Sequence, residues 1–215
     1  RYLENLLENR VRHVTPYPWG FSVLEIDRDL AQQSRIGLRR AVGVMPDGTP
    51  FAMPDNSPLP AAIEVPENAA GQIVWLSLPL ASPNTREVED ALSGSASRYV
   101  PATEMLIDST ASLRIEEEID VAHPRLSLEL RKTAKAGYVG LALGRVLEVR
   151  DRAILFDEKF APPVLICSAY PVIEGWLDRV IGWIDNKLEE LARYAADPTA
   201  GGGLQSADYF MLQLL

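Results

Sequence analysis

Apolar residues in this chain recur on two different periods, and the switch between them constrains the fold more than any other feature. Between Phe21 and Phe156 they come in short runs at every second position. Phe21 and Val23 alternate, Ile36, Leu38, Val42 and Val44 follow with Arg40 at the remaining step, and Ile73 to Leu80 reads as a clear strand. Period two places successive side chains on opposite faces, as in a strand with one face toward a core. From Val172 the spacing changes to threes and fours through Ile173, Trp176, Leu177, Val180, Ile181, Ile184, Leu188, Leu191 and Ala195, with charge on the other faces. That is one stripe of an amphipathic helix.

Turn chemistry divides the first region. Pro46-Asp47-Gly48-Thr49 is a tight-turn sequence, because Gly48 tolerates positive φ and Pro46 fixes its own. It predicts a strand ending near Met45 and another over Pro50 to Met53. The proline-bearing stretch 54–72 reads as looping chain with a short strand at Ile63 to Val65, and 82–97 reads as a solvated loop. Further strands are predicted at Tyr99 to Ile107, Pro124 to Leu130, Tyr138 to Leu143 and Arg145 to Phe156, the last broken near Asp151. About eight or nine strands at regular spacing between 19 and 160 indicate an antiparallel β-sandwich or barrel rather than βαβ units.

Helices flank this body. Leu3, Leu6, Leu7 and Val11 predict a short N-terminal helix over 2–13, ended by Pro16 and Pro18. Pro162 and Pro163 mark a boundary, which divides the chain into a β domain over 1–165 and a helical part over 166–215. Pro198-Thr199-Ala200-Gly201-Gly202-Gly203 breaks the long helix, and Leu204 onward reads as a second helix, making a helical hairpin. The chain opens at Arg1 inside a helical pattern and stops at Leu215 inside another, so residues are expected beyond both ends.

Charge and chemistry exclude several functions. Lys and Arg number 21 against 30 Asp and Glu, a net charge of −9. A nucleic-acid surface needs clustered cations, and anionic lipid head groups need the same, so neither is an expected partner. Cys167 is the single cysteine; no intrachain disulfide can form, which fits a reducing compartment. No apolar run approaches the ~20 residues of a membrane span, and no signal-peptide pattern opens the chain.

His13 and His123 are the two histidines. With Cys167 they give no ligand spacing for zinc, so neither metal nor cofactor is expected. His123, beside Pro124, reads as a surface or capping residue, and Cys167, among Val164, Leu165 and Ile166, as a small buried hydrophobe. Glu116, Glu117, Glu118 and Asp120 form the densest acidic cluster. Paired carboxylates can hydrolyse glycosides across a cleft, but neighbours in a strand point to opposite faces, so a solvated charge run is expected. Gly201-Gly202-Gly203 lacks the Lys-Ser/Thr of a phosphate loop and reads as a hinge. The chain is therefore not expected to be an enzyme.

The stripe over 172–196 needs a partner. Fully burying one large apolar side chain contributes about 1.5–3 kcal/mol, so the stripe as a whole favours association strongly. Two partners are open: the β domain of the same chain, or other copies of the helix. The mixed spacing suits a coiled-coil-like bundle.

Several strings carry a resemblance. They are Arg1-Tyr2-Leu3-Glu4-Asn5-Leu6-Leu7, Tyr17-Pro18-Trp19-Gly20-Phe21, Leu24-Glu25-Ile26-Asp27, Leu38 through Phe51, Ala136-Gly137-Tyr138-Val139 and Phe160-Ala161-Pro162-Pro163. Their ordered combination resembles the N-terminal region of the TssK family of type VI secretion baseplate subunits. The resemblance implies a trimeric structural adaptor with a β-sandwich shoulder, like that of phage receptor-binding proteins, a helical neck and a C-terminal head. The shoulder docks on the TssF–TssG wedge, and head and neck face the TssJ–TssL–TssM membrane complex. Such an adaptor is cytoplasmic and peripheral to the inner membrane. Family members are longer, so this chain corresponds to the shoulder and the start of the neck, and membrane-complex binding belongs mainly to the absent part. The neck interface is then expected at Ile173, Trp176, Leu177, Val180, Ile184, Leu188 and Leu191; wedge-binding residues are not readable.

An alternative class is a phage-like β-sandwich module that captures a receptor or carbohydrate. An exposed aromatic cluster around Trp19, Trp75 or Tyr99 would favour it, though all three lie in strand patterns and are expected in the core.

Overall fold

The computed structural model describes residues 15–81, 87–88, 97–107 and 116–196, the side chains of 194–196 aside. The helix expected over 2–13, His13, the Gly201-Gly202-Gly203 hinge and the second helix from Leu204 lie outside the described residues. The chain divides into two units, Arg1–Tyr170 and Pro171–Leu215.

The first unit is built from antiparallel strands. Strands β1 (Gly20–Ile26), β3 (Leu38–Val44) and β4 (Pro50–Met53) form a sheet of order β1-β3-β4. A second sheet, of order β11-β10-β6-β9, holds β6 (Ile73–Pro79), β9 (Ser127–Arg131), β10 (Tyr138–Arg150) and β11 (Ala153–Phe156). Two further pairs are short β2 (Arg35–Ile36) with β5 (Ile63–Glu64), and the long ribbon of β7 (Tyr99–Ile107) with β8 (Glu116–Pro124).

Both larger sheets send side chains into one core. Phe21, Leu24, Leu38, Ala41, Phe51 and Met53 come from the first; Val74, Leu76, Leu78, Leu128, Leu141 and Val146 come from the second. The even-numbered residues of β6 face this core, so Leu76 packs between its register partners Leu128 and Leu141. Phe21 and Phe51 meet edge to face at 6.0 Å, the geometry that ring quadrupoles favour.

The β3–β4 turn forms where Pro46 to Thr49 predicts it. Gly48 adopts φ +91°, Met45 N–H donates to Thr49 O at 2.9 Å, and Thr49 N–H donates to Asp47 Oδ1 at 3.1 Å. The break near Asp151 is also present: Asp151 and Arg152 both have positive φ, as a two-residue type I′ hairpin turn requires. The expected gap between Leu143 and Arg145 is instead a bulge inside one 13-residue strand, with the register shifting between Ala142 and Gly144. Elements additional to the sequence reading include the acidic strand β8 and the short helix α1 (Arg28–Ala31), where Asp27 accepts from the N–H groups of Asp29 and Leu30.

After β11 the chain returns to β1. Phe21 N–H donates to Pro163 O and Leu165 N–H to Phe21 O, giving a parallel bridge between Phe21 and Val164. Gly20 allows this approach: its φ is +135°, and a Cβ there would stand 2.9 Å from Pro163 O. The prolines at 162 and 163 thus lie within the first unit, which continues through a 3₁₀ turn (Cys167–Ala169) to Tyr170. The second unit holds one helix, α2 (Pro171–Ala196), begun by a proline at a position where the missing N–H has no partner to lose.

Candidate interaction surfaces

The β7–β8 ribbon is rooted firmly and exposed at its tip. Its root is Arg98, whose guanidinium is nearly buried at 6% exposure. Arg98 Nη1 donates to Pro79 O at the end of β6, and Nη2 donates to Asp47 Oδ2 and Thr49 Oγ1 in the β3–β4 turn. Burial alone would lower the Arg98 pKa, but hydrogen bonds with Tyr99 and Asp47 outweigh it and hold the guanidinium more firmly charged than usual. One side chain therefore ties the ribbon to both larger sheets. Arg125 closes the base of the ribbon, its Nη2 donating to Ser97 Oγ at 2.6 Å.

Beyond the root, β7 and β8 pair with each other and with no other strand among the described residues. Register places Met105 opposite Glu118, Leu106 opposite Glu117 and Ile107 opposite Glu116. Residues directly opposite share a face, so both faces near the tip carry apolar groups on β7 and carboxylates on β8. Met105, Leu106 and Ile107 are 59%, 49% and 48% exposed. Such side chains on a two-stranded ribbon, unprotected by a core, mark a contact surface.

The second surface is α2. Its apolar stripe is present as expected: Leu177, Val180, Ile184 and Leu188 are exposed, Ile173 and Trp176 are half-buried, and Leu191 is buried. Ile181 and Trp183 add to the exposed apolar area, Trp183 at 69% exposure. The helix is amphipathic but too charged to cross a bilayer; among the described residues no helix is long and apolar enough to do so.

The other candidate residues scatter. His123, half-buried near the base of β8, brings Nε2 to 3.2 Å from Glu104 Oε1 on the same ribbon face. Glu116, Glu118 and Asp120 lie on one face of β8 and Glu117 on the other, all exposed along a ribbon rather than across a cleft. Cys167 corrects the sequence reading: it is exposed, not buried, because the segment runs along the surface, where Leu165 and Ile166 are also exposed. Trp19, Trp75 and Tyr99 are half-buried rather than core. Trp75 faces away from Leu76 and donates its indole N–H to Arg131 O. The described residues contain no group of three or more His, Cys, Asp or Glu placed to hold a metal. An open cleft lined by Gln33, Ser34, Arg35, Glu64, Val65 and Pro66 has its two charged residues exposed to water.

The apolar surfaces of the ribbon and of α2 are the candidate contact sites, and comparison with known proteins gives their context. The family model described as "Bacterial Type VI secretion, VC_A0110, EvfL, ImpJ, VasE" matches residues 1–215. A curated relative from Pseudomonas aeruginosa, type VI secretion system baseplate component TssK1, is 34% identical over 217 residues, covering 100% of this chain and 49% of its own length. The chain thus spans about half the length of that relative. A crystal structure of TssK shares the fold at TM-score 0.87 and 28% identity, over 99% of this chain and 49% of that one. A chain from a TssK–TssF–TssG baseplate subcomplex solved by cryo-electron microscopy matches at TM-score 0.79 and 21% identity, over 92% of this chain and 67% of that chain.

Proposed function

The chain belongs to the bacterial type VI secretion family that includes VasE and TssK, and from that premise we propose that it is the shoulder and first neck helix of a trimeric baseplate adaptor. Its work is structural: it holds the TssF–TssG wedge through the β unit, while parts of the protein beyond this chain reach the TssJ–TssL–TssM membrane complex. It acts in the cytoplasm, against the inner membrane. The two-sheet β unit is the sandwich shoulder of this reading, and the helical neck begins at α2.

The observation that carries the proposal is similarity along the whole of this chain: 34% identity over 100% of it. The named complex of a structural relative supports the wedge as partner. The exposed stripe Leu177, Val180, Ile184 and Leu188, continued by half-buried Ile173 and Trp176, supports the neck as the seam between copies; Leu191, next on the stripe, is buried already in the single chain. Apolar side chains left in water at helical spacing are stabilised when a second helix covers them.

Co-purification tests the wedge assignment. The protein expressed with the TssF and TssG subunits of the same organism is expected to elute with both as one species. Separate elution at micromolar concentrations would contradict the adaptor role.

A further inference from the structure

The two long edges of the β7–β8 ribbon are not equivalent. Arg125 N–H donates to Arg98 O, which makes this opposite pair a hydrogen-bonded one. Hydrogen-bonded and open pairs alternate along an antiparallel ladder. Val100, Ala102, Glu104 and Leu106 therefore turn their main-chain groups inward to β8, and Thr103, Met105 and Ile107 turn theirs outward. Two observations fit this phase. Tyr99 N–H points outward, donating to Glu87 O at 2.8 Å, and both prolines, Pro101 and Pro124, occupy outward positions where no ladder bond is lost.

Open strand edges are normally blunted by charge or proline. The β8 edge follows that rule, because its outward residues include Glu116, Glu118 and Asp120. Among the described residues the β7 edge is blunted by Pro101 at its base and by nothing beyond. Thr103, Met105 and Ile107 present uncharged side chains and, among the described residues, unused main-chain N–H and C=O groups in a row. The root of the same edge already takes a main-chain partner, in the isolated parallel bridge between Val88 and Tyr99.

We propose that the free β7 edge from Thr103 to Ile107 takes up an extended segment of a partner protein as a third strand, apolar at alternate positions and flanked by Lys or Arg. Main-chain hydrogen bonds to Thr103, Met105 and Ile107 supply affinity, and Met105 and Ile107 cover its apolar side chains. The basic flank follows from charge. Beyond the root Arg98 and Arg125, strands β7 and β8 carry Glu104, Glu116, Glu117, Glu118 and Asp120 and no Lys or Arg. A second copy of this chain is a poor complement, since its net charge is −9 and Arg39, Arg40, Arg145 and Arg150 already face carboxylates. The proposal rests on the adaptor reading and assigns the segment to the wedge.

The test uses the full-length protein with the TssF–TssG subunits as probe, read by amide hydrogen exchange and by binding. Complex formation is expected to slow exchange at Thr103, Met105 and Ile107. Met105→Pro deletes one outward N–H without touching the β7–β8 ladder, as Pro101 already does, and is expected to weaken binding about tenfold or more with an unchanged melting curve. Met105→Ala keeps the N–H and is expected to weaken binding less. Should wild type bind with no protection at these amides, or Met105→Pro bind as tightly, the edge proposal is overturned and the adaptor reading stands. Absence of binding by wild type overturns both. Protection of the same amides in the protein alone, rising with its concentration, would make a second copy the occupant and contradict the hetero-partner assignment.

Discussion

Strands β6 and β7 are close in length and both rich in apolar residues, yet they end in opposite environments. In β6, Val74, Leu76 and Leu78 are fully buried; in β7, Met105, Leu106 and Ile107 are about half exposed. Composition does not separate them. Neighbours do: β6 lies between β9 and β10, over a core filled by both larger sheets, while β7 has one strand partner among the described residues and sends no side chain into that core. The interior strand stabilises the unit, and the ribbon strand keeps its groups for another molecule. Helix α2 stands with β7 in this respect, since its stripe leaves Leu177, Val180, Ile184 and Leu188 exposed.

This contrast can be broken most forcefully at β6. Leu76→Ala removes a side chain with 0% exposure and is expected to destabilise the β unit by about 2–5 kcal/mol in a denaturant titration, whereas Met105→Ala should stay within about 0.5 kcal/mol of wild type. Equal losses at the two positions would mean that the ribbon tip is packed in solution.

Arg98 sharpens the comparison at the join. Arg98→Ala leaves the Asp47 carboxylate without its buried partner and frees the ribbon from Pro79 and Thr49. The expected loss is about 2 kcal/mol, reduced from that of a fully buried pair because Asp47 keeps a quarter of its surface in water. Faster amide exchange should spread along β7 and β8 while β6 stays protected. Uniform exchange across both strands would argue that the ribbon is not a separate element.

On α2, Val180→Glu is expected to change melting of the β unit by no more than about 0.5 kcal/mol and to lower the mass in solution. A variant that keeps the wild-type mass would remove the helix as the seam.

The smallest expected effect is at Asp27, the cap of α1. Its carboxyl titrates below the ordinary range, chiefly because Leu30 N–H donates to it; partial burial opposes this, and Asp29 N–H and Arg39 add to it. A depressed carboxylate contributes stability above its unfolded pKa, about 4, and loses it as pH falls through the lower folded value. Asp27→Asn should therefore be slightly less stable than wild type at pH 7, and the two should converge as pH falls through that lowered folded value. A gap that persists in acid would mean that the carboxylate charge is not what Asp27 contributes.

Much of the architecture was legible because local chemistry agreed with the final environment. The β6 run, the Pro46 to Thr49 turn and the α2 stripe each announce themselves by period or turn residue, and each is found in place. The ribbon was half legible. Its β7 strand reads from period, but Glu116-Glu117-Glu118-Ile119-Asp120 has poor strand propensity and becomes a strand only because β7 offers a partner. Arg98 was invisible, since Asp47 and Thr49 lie 51 and 49 positions away and no local signal links them. Cys167 misled the reading because apolar neighbours normally mean burial, and here Leu165 and Ile166 lie on the surface with it.

Absolute mass in solution, by light scattering on a sizing column, tests the account most directly. The chain weighs 23.7 kDa, and the proposed trimer, with the α2 stripe as its seam, predicts a species of about three times that mass. A single species of one chain's mass across the accessible concentration range would contradict the claim that this helix is left exposed for other copies to cover.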